Sequence, residues 1–275
     1  MIKFSVCMSI YGGDKPKYFS DAVNSIIYQT KKPSEIIVVV DGPIDFKMEN
    51  TLKELKTKYE IIIKYLKKNM GLAYARQIAI ETASNELIAV MDSDDISVPD
   101  RFEKQINAFL KNKDIDVLGG QICEFVDSID KVVGIRKVPI KDSDIKHYLK
   151  QRCPLNHVTV MFKKTSVLNA GGYIDWFYNE DYYLWIRMYE NGCQFQNLQY
   201  NLVYVRVGKE MYTRRGGVKY FLSEISLQKY MLNKNIINVT KYINNIIIRL
   251  FVQVILPNRL RAWCFKMLFR KKHYK

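Results

Sequence analysis

The stretch Glu86–Arg101, ELIAVMDSDDISVPDR, decides how this chain is read. Leu87-Ile88-Ala89-Val90-Met91 is an apolar run of the length and composition of a buried parallel strand. It ends in three carboxylates, Asp92, Asp94 and Asp95, with Ser93 between the first two, and Pro99 follows where a helix would begin. Ligands of open α/β sheets bind outside the carboxyl ends of the strands. Acids gathered there repel one another unless a cation sits among them. A hard divalent cation whose shell is completed by substrate phosphates suits the arrangement. Asp92-Ser93-Asp94 is therefore read as a DxD metal–diphosphate site. A solvated acidic turn has the same local composition. A calcium EF-hand loop is excluded, because Ile96 and Ser97 stand where an oxygen ligand and a glycine are required. A phosphotransferase with Asp92 as nucleophile is disfavoured, since that strand usually opens its domain and here it comes fourth.

The strands before it run in the same sense. Phe4–Ile10 is a β-run that stops at Tyr11-Gly12-Gly13-Asp14, which is not the G-x-G-x-x-G of a dinucleotide site. Pro16–Gln29 carries Phe19, Ala22, Val23, Ile26 and Ile27 at helical spacing. Glu35–Val40 is a second strand ending in Asp41-Gly42-Pro43, where a lone Asp is ordinarily a cap or turn former. A helix over Asn50–Tyr59 and a strand over Ile61–Leu66 lead to Asn69-Met-Gly-Leu-Ala-Tyr-Ala-Arg76. In that segment Gly71 permits a tight helix entry, Asn69 can cap the first amides, and Arg76 lies one turn in, within reach of an anion at the helix mouth. An ordinary amphipathic helix with an exposed Arg reads the same way. Short β-α-β crossovers of this kind imply a parallel sheet.

Beyond it, Pro99–Asn112 reads as a helix, Ile115–Ile122 as a strand, 123–137 as a β-excursion, Lys141–Gln151 as a helix and His157–Phe162 as a strand. His157 is read as a structural histidine in preference to an acceptor ligand. Leu184, Trp185, Met188 and Tyr189 share a helical face, which puts Glu180 and Asp181 in the first turn, where acids also favour the macrodipole. Leu202–Val207 is the last expected strand, followed by a basic loop, 208–217, containing Arg214 and Arg215.

Together, Tyr11 after the first strand, Asp41 after the second, Asn69-x-Gly71-x-x-x-Ala75-Arg76 and Asp92-Ser93-Asp94-Asp95 resemble the nucleotide-sugar half of a family 2 glycosyltransferase with the GT-A fold. The resemblance runs over most of residues 1–220. It implies an α/β fold with a Rossmann-like, mostly parallel sheet flanked by helices, in which 1–98 form the nucleotide-sugar half and 99–220 the acceptor half. By resemblance, Tyr11 and Asp41 hold the uracil ring, Asn69 and Arg76 the uridine side, Asp92 the ribose and metal, Ser93 part of the same contact, and Asp94 the Mn²⁺ or Mg²⁺ that bridges the diphosphate. The match of Glu180-Asp181 to the family's ED motif makes Asp181 the base that takes the acceptor hydroxyl proton, with Glu180 orienting it. Arg214 or Arg215 can fold over the leaving diphosphate. The Q-x-x-R-W motif of processive members is absent, which argues for one sugar added per encounter.

The implied activity is metal-dependent, inverting transfer of a hexose (galactose or glucose favoured) from a UDP-sugar to a lipid-linked, polyprenyl diphosphate saccharide in bacterial O-antigen, capsule or exopolysaccharide assembly. A sugar nucleotidyltransferase wants a Gly-rich loop after the first strand, which is missing. A nucleic-acid-binding protein is suggested by the net charge of +15. That charge is confined, however: residues 225–275 hold eleven Lys or Arg and no acid, and the rest of the chain is nearly balanced. Within 221–275, Ile243–Leu256 is apolar except for a stripe of Asn245, Arg249 and Gln253 beside Asn244, and Leu260, Trp263, Cys264, Met267 and Leu268 form a second apolar face among basic residues. Too short to span a bilayer, this tail reads as an amphipathic helix on an anionic membrane surface through 240–275, with no nucleic-acid partner. No secretory leader is expected, and the five scattered cysteines read as reduced thiols. The expected location is the cytoplasmic face of the bacterial inner membrane, peripherally bound.

Overall fold

In the first two strands most residues are buried, and alternate residues enter different cores. The computed structural model describes residues 2–208 and 216–257. It contains β1 (Phe4–Tyr11), α1 (Pro16–Ile27), β2 (Glu35–Asp41), α2 (Phe46–Lys58), β3 (Ile61–Tyr65), α3 (Leu72–Thr82), β4 (Leu87–Val90), β5 (Ile96–Ser97) and α4 (Arg101–Lys111). Val6, Met8, Val38, Val40 and Ala89 face a core built with α1, α2 and α4, whose contributions include Phe19, Leu52 and Phe102. Cys7, Ile37, Val39, Ile88 and Val90 face the opposite core, where Ala75, Ala79 and Ile80 of α3 pack closely. A sheet covered on both faces needs continuous apolar strands, which is why these runs do not alternate with polar residues. Helix α2 starts four residues before the expected Asn50, because the Asp45 carboxylate accepts the Met48 amide at 2.7 Å and caps an earlier turn.

The chain continues through β6 (Val117–Val126), β7 (Ser128–Arg136), α5 (Asp142–Leu149), a 3₁₀ turn (His157–Thr159), β8 (Met161–Lys163), α6 (Lys164–Asn169), α7 (Glu180–Glu190) and β9 (Phe195–Arg206). The strand order is β3-β2-β1-β4-β8-β6-β9-β5, with β7 on β6. The expected parallel pairing holds from β3 to β4. It then gives way to a mixed region in which β8 runs antiparallel to both β4 and β6. The strand expected over His157–Phe162 is corrected: only its end is extended. Thr159 Oγ1 donates to the Asn156 carbonyl at 2.7 Å and Asn156 Nδ2 to the Gly120 carbonyl at 2.8 Å, and these local bonds draw the backbone into a turn.

Two helices follow, α8 (Val218–Asn233) and α9 (Val239–Arg249), the latter running into a π-helical turn (Leu250–Ile255). The boundary expected at residue 220 falls inside α8 and marks no break, since Leu227, Met231, Ile236 and Ile237 belong to the same core as Trp185. Helix α9 is docked by its polar stripe. Asn245 Nδ2 donates to the Lys150 carbonyl and to Gln228 Oε1, and Arg249 donates to the Gln151 carbonyl and pairs with the Glu224 carboxylate. Asn245, Arg249 and Gln253 are buried while Ile243, Ile247, Ile248, Phe251 and Ile255 are exposed, the reverse of a soluble surface helix.

Removing one partner of a buried ion pair strands the other charge. Glu224→Ala should therefore cost ~3–5 kcal/mol in urea unfolding and increase amide exchange in 239–249. The double variant Glu224→Leu/Arg249→Met should recover most of the loss. A single variant within about 1 kcal/mol of wild type would show that α9 is held by its other contacts.

Candidate active site

The ends of β1, β2 and β4 and the entry to α3 surround a cleft of about 470 Å³. Tyr11, Asp41, Asn69, Arg76, Asp92, Ser93 and Asp94, the described residues expected to bind nucleotide sugar, all line it. Tyr11 is 48% exposed, which leaves its side chain accessible to a stacking partner. Asp41 is buried, and its two carboxylate oxygens accept the amides of Met70 at 2.7 Å and Gly71 at 3.0 Å. Asn69, expected to cap α3, shares the Gly71 amide at 3.2 Å, so the turn before the helix is bound by two side chains and the helix itself begins at Gly71 without a side-chain cap. The adjacent Gly42 has φ +87°, and a Cβ there would stand 2.5 Å from the Asn69 nitrogen, so only glycine lets the two loops approach.

Carboxylates dominate the floor. Asp14, which the motif reading did not single out, accepts the Tyr11 amide at 3.0 Å, and burial and Asp92 raise its pKa. Asp94 is pushed up to about 6 by burial and by the charges of Asp92 and Asp14. Burial, then Asp94 and Asp92, holds Asp95 well above the carboxylate range, while the Arg206 amide donates to it at 2.8 Å. Arg206 was also missed. It donates from Nε to the Asp94 carbonyl at 3.1 Å and lies 3.8 Å from the Tyr18 ring centroid. Beneath the turn, fully buried Arg101 donates to the Val90 carbonyl at 2.8 Å and to Ser97 Oγ at 3.0 Å; burial pulls its pKa down to about 9 against Asp92 and Asp95. Among the described residues no three of His, Cys, Asp and Glu form an all-protein metal cage. Asp92 and Asp94, crowded by Asp14, instead fit a cation that takes the rest of its shell from phosphate and water.

Glu180 and Asp181 open α7, as expected. Arg76 connects them to the cleft. Its Nη2 lies 3.0 Å from Asp92 Oδ1 and its Nη1 2.9 Å from Glu180 Oε1. The guanidinium expected at the helix mouth is thus committed to two carboxylates, one from each centre. Burial raises the Glu180 pKa and Arg76 opposes the shift. Asp181 Oδ1 accepts the Tyr182 amide at 2.6 Å, and the Cys153 thiol lies 3.8 Å from Oδ2. His157 is partly buried and bonds through Nε2 to the Tyr173 hydroxyl at 2.6 Å; desolvation, then Arg76 and Arg101, depresses its pKa well below the ordinary value. Arg214 and Arg215 lie outside the described residues.

The sequence model of glycosyl transferase family 2 matches residues 5–173, more than half the chain. The chain is a family 2 glycosyltransferase. It is 38% identical over 270 residues to an Escherichia coli UDP-Gal:α-D-GlcNAc-diphosphoundecaprenol β-1,3-galactosyltransferase, covering 98% of this chain and 97% of that one. It is 34% identical over 229 residues to the amylovoran biosynthesis glycosyltransferase AmsE of Erwinia amylovora, covering 83% and 85%. A crystal structure of S. aureus TarS in complex with UDP-GlcNAc shares the fold, with TM-score 0.68 and 18% identity over 97% of this chain and 76% of that one. The glycosyltransferase therefore has the GT-A architecture expected from its motifs, with a curled mixed sheet flanked by helices.

A planar fork is needed to hold Asp92 and Glu180 at once. Arg76→Met in this glycosyltransferase should lower kcat/KM for sugar transfer at least about hundredfold. Arg76→Lys, a point charge, should restore only part of it. Steady-state kinetics decide, and a methionine variant near wild-type turnover would refute the bridging role.

Proposed function

We propose that this glycosyltransferase moves a hexose, galactose or glucose, from a UDP-sugar to a lipid-linked polyprenyl diphosphate saccharide, with inversion and with Mn²⁺ or Mg²⁺ as cofactor. The observation that carries the reading is the Arg76 bridge, which ties the carboxylate-lined cleft to the acids at the start of α7. The high, nearly full-length identity to an enzyme named for a UDP-galactose donor and a GlcNAc-diphosphoundecaprenol acceptor supports the substrate classes.

In this reading Tyr11 stacks on the uracil ring, while Asp41 and Asn69 act by shaping the loop beside it. Ser93 lines the diphosphate path, and Arg76 is a positioning residue that orients Asp92 and Glu180. Asp94 and Asp92 would hold the cation, which would supply charge neutralisation for the departing UDP. Asp181 takes the proton from the acceptor hydroxyl, and Glu180 orients the sugar or the base. Glu180 faces Arg76 and is tied up in that pair, whereas Asp181 sits at the next helical position and lines a separate pocket. That division supports Asp181 as the base. Arg214 remains the proposed cover of the diphosphate.

A screen of nucleotide sugars for UDP release, with Mn²⁺ or Mg²⁺ and a synthetic lipid-diphosphate GlcNAc acceptor, tests the reading; no binding or turnover with any UDP-sugar would overturn it. Asp94→Ala should abolish metal-dependent UDP binding in calorimetry. Asp181→Asn should leave that binding intact and lower turnover by at least about a thousandfold.

The same reading seats the protein peripherally on the cytoplasmic face of a bacterial inner membrane. No helix among the described residues is long and apolar enough to cross a membrane. The outward apolar face of α9 and the eleven basic, acid-free residues of 225–275 support attachment to an anionic leaflet, each near-surface cation contributing ~1 kcal/mol. The double variant Ile247→Asp/Phe251→Asp should lose flotation with anionic liposomes, and high salt should release wild type only partly, because apolar insertion is not screened. Equal flotation of variant and wild type would show that another surface binds.

A further inference from the structure

Asp94 and Asp95 are adjacent in the chain, yet Asp94 lines the nucleotide cleft while Asp95 is buried. One residue holds both. The Arg206 amide donates to Asp95 Oδ1 at 2.8 Å, and the Arg206 side chain donates from Nε to the Asp94 carbonyl at 3.1 Å. Holding that carbonyl constrains the peptide plane after Asp94, and with it the direction in which the Asp94 carboxylate leaves the backbone. The guanidinium is anchored away from the turn as well. Its Nη1 donates to the Asp127 carbonyl at 3.3 Å, and Asp127 holds a left-handed backbone, φ +62°, between β6 and β7. That conformation is uncommon for a residue with a Cβ and is best tolerated by Asp and Asn. The guanidinium carbon lies 3.8 Å from the ring centroid of Tyr18, on α1, and 4.7 Å from that of Phe125, on β6. The group is thus packed on aromatic surface in addition to its bonds. Helix α1, the β6–β7 turn and the end of β9 meet through this one side chain on the backbone of the acidic turn.

We infer that Arg206 is a positioning residue for the cation site, which sets the Asp94 carboxylate toward the cleft and, through Asp127, makes the β6–β7 hairpin part of that site's support. The inference rests on the reading in which Asp94 and Asp92 hold a divalent ion, and adds a residue and an element to it. Electrostatics alone gives Arg206 the opposite effect. Its charge is close enough to oppose the rise that burial, Asp92 and Asp14 impose on the Asp94 pKa, and a fixed cation beside a metal site repels the ion. Removing a mere charge would tighten metal binding; removing a positioning group loosens it. The sign of the change separates the two roles.

Calorimetry of UDP binding to the full-length protein, with and without Mn²⁺, reads that sign. In wild type Mn²⁺ should raise the affinity for UDP. Arg206→Met keeps the length of the side chain and packs on aromatic rings, but has neither charge nor donor. It should weaken UDP binding in the presence of Mn²⁺ about tenfold, the loss expected for one charge-assisted bond, and leave metal-free UDP affinity at the wild-type value. Arg206→Lys keeps the charge without the flat fork that reaches Asp94 and Asp127 together, and its Mn²⁺-dependent affinity should fall between the two. The backbone bond to Asp95 survives in both variants, so the side chain alone is probed. Mn²⁺-dependent affinity in Arg206→Met equal to or tighter than wild type would overturn the inference and leave the proposed function standing. Loss of metal-free UDP binding in both variants would show a general role in folding and would also overturn it. UDP affinity in wild type indifferent to both Mn²⁺ and Mg²⁺ would overturn the metal reading, and the inference with it.

Discussion

The buried guanidinium of Arg76 joins the two chemical centres. One nitrogen faces a carboxylate at the end of β4 and the other a carboxylate at the start of α7, 104 residues beyond Arg76. Arginine suits this position because its charge survives burial and its fork is flat. Here desolvation, which disfavours the charge, is outweighed by Asp92 and Glu180, and its pKa lies above the ordinary value. A lysine would satisfy one acid or the other. The fork also fixes the spacing between the carboxylate-lined cleft and the acids at the start of α7.

The rest of the site is an answer to carboxylate crowding. Asp14, Asp92, Asp94 and Asp95 approach one another closely enough that burial and mutual repulsion raise the pKa of three of them. Three arginines from distant parts of the chain are placed around them. Arg101 holds the backbone under the turn, Arg206 bonds the far side of it, and Arg76 takes Asp92. Their bonds go largely to backbone carbonyls and to the outer acids, and Asp94 lines the cleft. Charges crowded in this way leave a site that a divalent ion with phosphate would relax.

The C-terminal helices invert the usual arrangement of an amphipathic surface helix. Burying Asn245, Arg249 and Gln253 is tolerable because Asn245 and Arg249 reach carbonyls of the α5 exit and partners on α8. Turning the isoleucines outward leaves apolar surface that water alone does not favour. The outward face would be accounted for by hydrocarbon contact, as the proposed membrane attachment requires.

Much of the fold was legible because its signals are short-range. The continuous apolar runs of β1, β2 and β4, the acids at a strand end, and the first-turn position of Glu180 and Asp181 are all local features of the sequence. The tertiary structure alone showed that Arg76 is claimed by Glu180, that Arg206 and Asp14 complete the acidic floor, and that residues 157–159 turn where a strand was expected. Periodicity likewise revealed the stripe Asn245–Arg249–Gln253, but a stripe has no intrinsic inside. Its direction depends on whether polar partners exist elsewhere to receive it, and those partners, Lys150, Gln151, Glu224 and Gln228, are brought beneath it only by the folded chain. Local sequence sets the period of an element; the side it buries is settled by the contacts that compensate its desolvation.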